Sequence, residues 1–433
     1  MLAEVDLGKK PLTRSTSRAS TWNRQERRLW LGVLFVGCTA VYAARTTMPL
    51  CIVSIAEEMK WDKIQSGFVL SAFFWGYTMT QLLGGWLSDR IGGDIVMAFC
   101  AAGWAGATFL TPYVPYLVQN PTYVMYIFAL SRVIIGACQG VHYPSLTSLL
   151  TKRVQPSERS SSYSFTSTGS NMGTLLSGSI GSLLLEYYGW RIMFYFIGIF
   201  GIMWVIFMKT TMLPRQKLLR ENDTNDVNIR QKPALPWCKL LSSPAFWSIV
   251  IGHMCETNCF FILLSWLPTY FHDTFPEAKG WVFNVVPWLV SIPCSISSGL
   301  IADKLIAKGY SVGRVRKLME CIALLGSALS LVLISWSDNY LVSVCCMAVA
   351  IGCIAFHHAG ILVNPQDIAP DHAGSVFGVM NTAGAIPGFV GVYIAGNILE
   401  ATKSWSAVFN MTSAVTTLGF LTFMIFGTGE RIV

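Results

Sequence analysis

Of 433 residues, 53% are hydrophobic and 12% charged, about half the charged share of a water-soluble domain. One soluble core of this length could not bury so much apolar surface, so the composition points to an all-α polytopic membrane protein. The formal charge of +8 comes from dispersed residues without a helix-turn-helix, zinc-finger or RNA-binding signature, which excludes a nucleic-acid polymer as partner.

Residues 1–28 are polar and carry Lys9, Lys10, Arg14, Arg18, Arg24, Arg27 and Arg28, the pattern of a flexible cytoplasmic tail. No cleavable leader is apparent, so the first apolar run is expected to remain as a helix. Apolar segments follow at about 30–53, 65–87, 94–115, 123–150, 160–186 and 190–212. Each is long enough to cross a ~30 Å hydrocarbon core. These make an N-terminal six-helix bundle over 29–212. A polar link, 213–242, leads to a C-terminal six-helix bundle over 243–428, with segments near 243–270, 280–303, 316–336, 340–364, 373–398 and 405–428. A short tail, 429–433, ends the chain.

Twelve spans put both termini and the link on one side. Lys152, Arg153, Arg159, Lys304, Lys308, Arg314, Arg316 and Lys317 fall on that side too, which the positive-inside rule makes cytoplasmic.

The two bundles echo one another. Gly84 to Gly93 reads Gly-Gly-Trp-Leu-Ser-Asp-Arg-Ile-Gly-Gly, and Ser298 opens Ser-Gly-Leu-Ile-Ala-Asp-Lys. Asp89 thus matches Asp303, and Arg90 matches Lys304. Gly85 and Gly299 are 214 positions apart; Ile135-Gly136 pairs with Ile351-Gly352, and Trp190 and Phe194 with Trp405 and Phe409, at nearly the same offset. Three registers at one spacing indicate an internal duplication, and in an apolar chain a two-repeat transporter.

The twelve cysteines lie mostly in apolar segments with no Cys-x-x-Cys pair or metal-ligand spacing, so neither a disulfide framework nor a metal site is expected. No phosphate-binding Gly-x-x-x-x-Gly-Lys-Ser/Thr loop is present, so ATP hydrolysis does not drive movement. Nor is there a nucleophile–base arrangement in a soluble domain. The chain reads as a secondary carrier, with no enzyme activity, catalytic residue or cofactor.

Mechanism should reside in the ionisable residues inside the spans. Arg45 lies in the first and Arg132 in the fourth, where an arginine costs about 2.5–3.5 kcal/mol on insertion scales unless it faces a cavity or partner. Arg132, Gly136, Gln139, Gly140 and Tyr143 share a helical face, the glycines leaving gaps for another body. Ser167, Asn171, Thr174 and Gly178 share a face of the fifth span. A guanidinium binds carboxylate or phosphate oxygens through paired hydrogen bonds, so the groove is expected to hold an anion. Glu256 and Asp367 are the alternative partners for these arginines. Glu256 could instead couple protons or sit at the helix mouth. His357 and His358 read as hydrogen-bonded packing residues.

The stretch Phe73-Phe74-Trp75-Gly76-Tyr77, together with Arg45, the Arg132 segment, Asn364-Pro-Gln-Asp367-Ile-Ala-Pro370 and Pro156-Ser-Glu158-Arg159, resembles the phosphate and organic-anion branch of the major facilitator superfamily. Ala44-Arg-Thr-Thr-Met-Pro49, Phe260 to Pro268 and Thr274 to Leu289 are most similar to the vesicular nucleotide carriers of that branch. The resemblance implies alternating-access loading of ATP and other nucleotides (ADP, GTP) into secretory vesicles or lysosomes. It further implies an inside-positive driving potential set by a vesicular proton pump, chloride as activator, and anion-binding roles for Arg45 and Arg132. The branch's glutamate carriers have a histidine at Leu70 and a glutamate at Gln139, and their helix 7 arginine aligns with Glu256. Those departures argue against glutamate transport and proton symport.

The expected site lies near mid-membrane between the halves. Arg45 and Arg132 hold phosphate oxygens, and Gln139, Tyr143, Ser167 and Asn171 add polar contacts. Trp75, Tyr77 or Trp288 stacks the base. Asp89, Arg90, Asp303 and Lys304 gate the cytoplasmic face. The alternatives are a phosphate, organic-anion or glutamate carrier of the same branch, or an anion channel.

Overall fold

Asn23 starts the first helix: its side chain accepts from the Glu26 amide, and the Glu26 carboxylate takes the Asn23 amide, satisfying two otherwise orphaned end donors. The computed structural model describes residues 21–61, 63–118, 120–225, 235–277 and 280–433. Residues 1–20 of the expected tail and 226–234 of the expected link lie outside these. Helix α1 (Arg24–Met59) begins within the stretch expected to be tail, and Trp22 stacks on Trp30 with ring centroids 5.0 Å apart.

In the first half, α2 is Lys63–Ile91 and α3 Gly93–Leu110, while α4 runs as Pro121–Gly140 and, past Val141, His142–Arg153. Helix α5 runs as Arg159–Leu176 and, past a π-turn at Ser177–Gly181, Ser182–Tyr188. Helix α6 is Trp190–Phe207, continuing through Met208–Met212 into Leu213–Asn225, so the first part of the expected link is helical.

In the second half, α7 is Pro244–Thr274 and α8 Gly280–Ala307; α9 runs as Val312–Glu320 and, past Cys321–Leu325, Gly326–Ser335. Then come α10 (Tyr340–Ile354), closed by a 3-10 turn at Ala355–His358, α11 (Ala373–Thr402) and α12 (Trp405–Phe426).

Among the described residues ten of these rods are long and apolar enough to cross a membrane; α2 and α5 are not among them. Their apolar residues are interleaved with Ser, Thr, Gly and Gln, and both pack on the opposite half, α2 on α11 and α5 on α8. Their polarity is therefore spent on protein neighbours. On the outside, exposed Leu83, Phe99, Ile206, Leu329, Val349, Tyr393 and Ile425 offer the continuous apolar surface that lipid covers.

The duplication is visible as geometry. Trp190 opens α6 and lies 5.8 Å from Phe194; Trp405 opens α12 and lies 6.2 Å from Phe409. A β-carbon at Gly136 would fall 2.0 Å from the Phe73 carbonyl oxygen, and one at Gly140 2.4 Å from that of Tyr77. The gaps expected to admit another body are thus filled by α2. At the corresponding Gly352 of α10 a β-carbon would fall 3.2 Å from Val290 Cγ1 of α8, a looser approach.

The first and last described residues lie on one face, the terminal face. The Trp22 amide donates to the Arg153 carbonyl at 2.9 Å, and the Ile432 amide to the Ile368 carbonyl at 2.7 Å. Arg159 joins these two regions, donating to the carbonyls of Thr151 and Gln366 at 2.9 and 2.8 Å.

Candidate functional site

Between the halves lies a cavity of about 140 Å³, in this state smaller than ordinary ligand pockets. Its first-half wall is built by α1, α2, α4 and α5. The Arg45 guanidinium carbon lies 4.6, 5.1 and 4.5 Å from the ring centroids of Tyr42, Phe73 and Tyr77. That of Arg132 lies 4.9 Å from the same Phe73 ring. One aromatic ring thus carries two cations, each attracted by the ring quadrupole.

Neither arginine forms an ion pair among the described residues. Arg45 Nη2 and Arg132 Nε and Nη1 are buried without a hydrogen-bond partner. Buried polar groups are normally satisfied, so this wall presents unspent donors and uncompensated positive charge.

The second-half wall differs. His253 and Glu256 lie on α7, three residues apart, and His357 lies in the turn after α10. His357 Nδ1 is 2.8 Å from Glu320 Oε1, whose partner oxygen Oε2 accepts the Ile361 amide at 3.1 Å. His253 Nδ1 lies 3.0 Å from His357 Nε2, and His253 Nε2 lies 3.1 Å from Asn381 Oδ1. Asn381 Nδ2 donates back across the halves to the Tyr77 hydroxyl at 3.2 Å and to Gln81. His358 Nδ1 meets Ser295 Oγ at 2.7 Å.

Below the cavity two zippers run to the terminal face. On one side Asn381–Gln81 leads down to Asp89, whose carboxylate accepts the amides of Gly374 and Ser375 and the Ser375 hydroxyl at 3.2, 2.8 and 2.8 Å. On the other, Thr168 donates to Ser295 at 2.7 Å, and Asp303 accepts the amides of Ser160 and Ser161 at 3.1 and 2.8 Å. Each zipper spans eight residues of one helix, about 12 Å. In each, an aspartate of one half caps the first turn of a helix in the other, where a negative charge meets the positive end of the helix dipole. Close approach requires glycine: a β-carbon at Gly85 would lie 2.1 Å from the Gly374 carbonyl oxygen, and one at Gly299 2.6 Å from that of Ser160.

Of the residues singled out from sequence, Arg45, Tyr77, Tyr143, Ser167, Asn171 and Trp288 line the cavity. Arg132 and Gln139 lie behind the lining, 2% and 0% exposed, and Gln139 Oε1 accepts from Arg45 Nε at 3.5 Å. Trp75 is half exposed on the outer surface beside Phe68 and is not part of the wall. Asp89 and Asp303 accept cross-half hydrogen bonds, whereas Arg90 stacks on Trp86 at 4.2 Å and Lys304 is exposed. Asp367 pairs with Arg316 at 2.7 Å rather than with a span arginine. His357, expected to be a hydrogen-bonded packing residue, is buried and hydrogen-bonded within the histidine–carboxylate chain. Sequence reasoning missed His253 and Glu320. The i, i+3 spacing of His253 and Glu256 on an apolar helix was the available signal for the first.

Residues 33–392 match the Major Facilitator Superfamily. The chain belongs to that superfamily. It is 43% identical over 416 residues to the voltage-gated purine nucleotide uniporter SLC17A9 of Homo sapiens, covering 95% of this chain and 94% of the relative. Identity to the Rattus norvegicus uniporter of that name is 42%, covering 97% and 95%. It is 32% identical to the chloroplastic sodium-dependent phosphate transport protein 1 of Arabidopsis thaliana, covering 95% and 81%. The proton:xylose symporter XylE superposes with a TM-score of 0.74 at 15% identity, covering 95% of this chain and 98% of that one; the likeness concerns the fold. As a major facilitator protein with apolar spanning helices, the chain is a multi-pass membrane transporter and not an enzyme.

Proposed function

We propose that this transporter carries purine nucleotides, ATP with ADP and GTP, into secretory vesicles or lysosomes, both termini being cytoplasmic. The observation that supports this reading best is the shared Phe73 ring, with two guanidiniums on it and no carboxylate on either. A polyphosphate is the kind of anion held by one forked donor with a second positive charge behind it. Tyr77, Tyr143 and Trp288 supply flat faces for a base. The sequence similarity to the purine nucleotide uniporters points the same way. Arg45 touches the phosphates, Gln139 orients Arg45, and Arg132 holds the positive potential behind it, while Ser167 and Asn171 add hydroxyl and amide contacts.

The two zippers close the terminal face, so the cavity in this state serves the opposite, lumenal side, and alternating access requires them to part. Movement is driven by an inside-positive potential maintained by a vesicular proton pump. At ~100 mV each transferred charge contributes about 2.3 kcal/mol, enough to concentrate a triply charged anion by roughly five orders of magnitude. Chloride acts as an activator.

The test is labelled-ATP uptake by purified protein in liposomes under an imposed inside-positive potential, with phosphate and glutamate in parallel, each with and without chloride. ATP accumulation that collapses with the potential supports the reading. Uptake of phosphate or glutamate alone overturns the nucleotide assignment, and conductance without accumulation identifies a channel.

A further inference from the structure

We propose that His253, Glu256 and His357 form a binding site for a divalent transition-metal cation, best suited to Zn²⁺, in the second-half wall of the cavity. His253 Nδ1 and His357 Nε2 are 3.0 Å apart, and Glu256 Oε2 lies 3.7 and 3.6 Å from them. A point about 2.0 Å from all three atoms exists within this triangle, the length of a zinc bond to imidazole or carboxylate. All three residues are buried, yet all three line the cavity, so an ion there keeps an open coordination position facing the cavity. Two imidazoles and a carboxylate suit zinc, cobalt or nickel, and not the all-oxygen preference of Mg²⁺ or Ca²⁺.

The surrounding groups prepare the ligand atoms. Glu320 takes the Nδ1 proton of His357, leaving the Nε2 lone pair for the triangle, and Asn381 Oδ1 takes the Nε2 proton of His253, leaving Nδ1. Carboxylates and carbonyls in these positions are the usual partners of metal-bound histidines. Two lone pairs and a carboxylate then face one another with no cationic side chain among them, an arrangement that needs a positive charge at its centre. A proton shared between the near-coplanar rings (6° apart) supplies it along the 3.0 Å line. A cation entering the triangle takes that proton's place, each ring turning to aim at the centre. Among the described residues Glu256 is the acid that lines this cavity, and an acid in an anion carrier's wall is accounted for by such a cation. The site stands whether or not the substrate is a nucleotide.

The test uses purified full-length protein in detergent, without nucleotide, and Co²⁺ as probe. Wild type should develop the visible absorption of a low-coordinate Co²⁺ site at one ion per chain, bleached by Zn²⁺ and not by Mg²⁺. His253→Gln and Glu256→Gln should each weaken Co²⁺ binding at least 100-fold, and Glu320→Gln by 10- to 100-fold. Co²⁺ binding at wild-type affinity in both His253→Gln and Glu256→Gln, or no such band in wild type, overturns the proposal. If those variants do not fold, X-ray absorption of Zn²⁺-loaded wild type decides. A shell of nitrogen and oxygen near 2.0 Å with two imidazoles supports the site, and sulfur near 2.3 Å assigns the ion to cysteines instead.

Discussion

On the first-half wall of the cavity, Arg45 and Arg132 share the Phe73 ring and neither meets a carboxylate. On the second-half wall, Glu256 and Glu320 both lie beside His357, and Asn381 closes the chain of contacts. The halves share a repeated sequence pattern and pair corresponding helices, yet their buried charges are managed in opposite ways. One wall leaves charge uncompensated, which is costly in a low-dielectric interior and tolerable only where a ligand completes it. The other sets its carboxylates against histidines that share a proton, and can be stable without substrate. Anion affinity is therefore expected to follow substitutions in the first half, and fold stability those in the second.

The sharpest break of this comparison is Arg132→Ala. Potential-driven ATP uptake in liposomes should fall by at least ~100-fold, the cost of roughly 3 kcal/mol for a charged hydrogen-bonding group. Arg132→Lys should recover much of the uptake, because the ammonium keeps the positive charge behind Arg45. Wild-type-like uptake by Arg132→Ala would remove the first-half wall from the mechanism.

Glu320→Gln tests the other wall. It should lower the midpoint of thermal unfolding, by an amount corresponding to about 3 kcal/mol for a broken buried pair. The KM for ATP in the surviving protein should change far less than in Arg45→Ala. Equal KM effects in the two variants would erase the contrast.

At the terminal face, Asp89→Asn removes the charge behind three cross-half hydrogen bonds and Asp303→Asn the charge behind two. A cysteine reporter at Ser164, labelled from the terminal side, should react about 10-fold faster in Asp89→Asn, on a loss near 1.5 kcal/mol. The gain should be smaller in Asp303→Asn, and the reverse order would show that the second zipper is the stronger.

The smallest effect is expected from the glycines. Gly85→Ala should speed the same labelling more than Gly299→Ala, because its β-carbon meets a carbonyl oxygen at 2.1 rather than 2.6 Å.

Much of this architecture was legible in the chain. The Gly84–Gly93 stretch and its echo at Ser298 marked the duplication because a tight cross-half contact needs glycine beside an acid, and that requirement is local in sequence. Arg45 stood out because charge is rare in apolar spans. Glu320 did not, since it follows Arg316 and Lys317 at the edge of an apolar run and reads as a boundary residue. Its burial against His357, 37 residues away, is a long-range contact that no local pattern encodes. Trp75 illustrates the opposite error: an aromatic beside Tyr77 looked equally able to stack a base, but the helical turn between them sends it outward.

By itself the sequence determined the class of protein, the repeated pattern of apolar segments, and the acids and arginines worth attention, because composition, periodicity and rare buried charge act over a few turns of chain. Only the tertiary structure decided that Arg132 and Gln139 stand behind the cavity lining while Arg45 reaches it. It likewise decided that Asp89 and Asp303 each cap a helix of the opposite half, and that two histidines and two glutamates from α7, α9 and the end of α10 converge. Those outcomes depend on how separate helices cross, which packing of whole surfaces settles and no single helix carries.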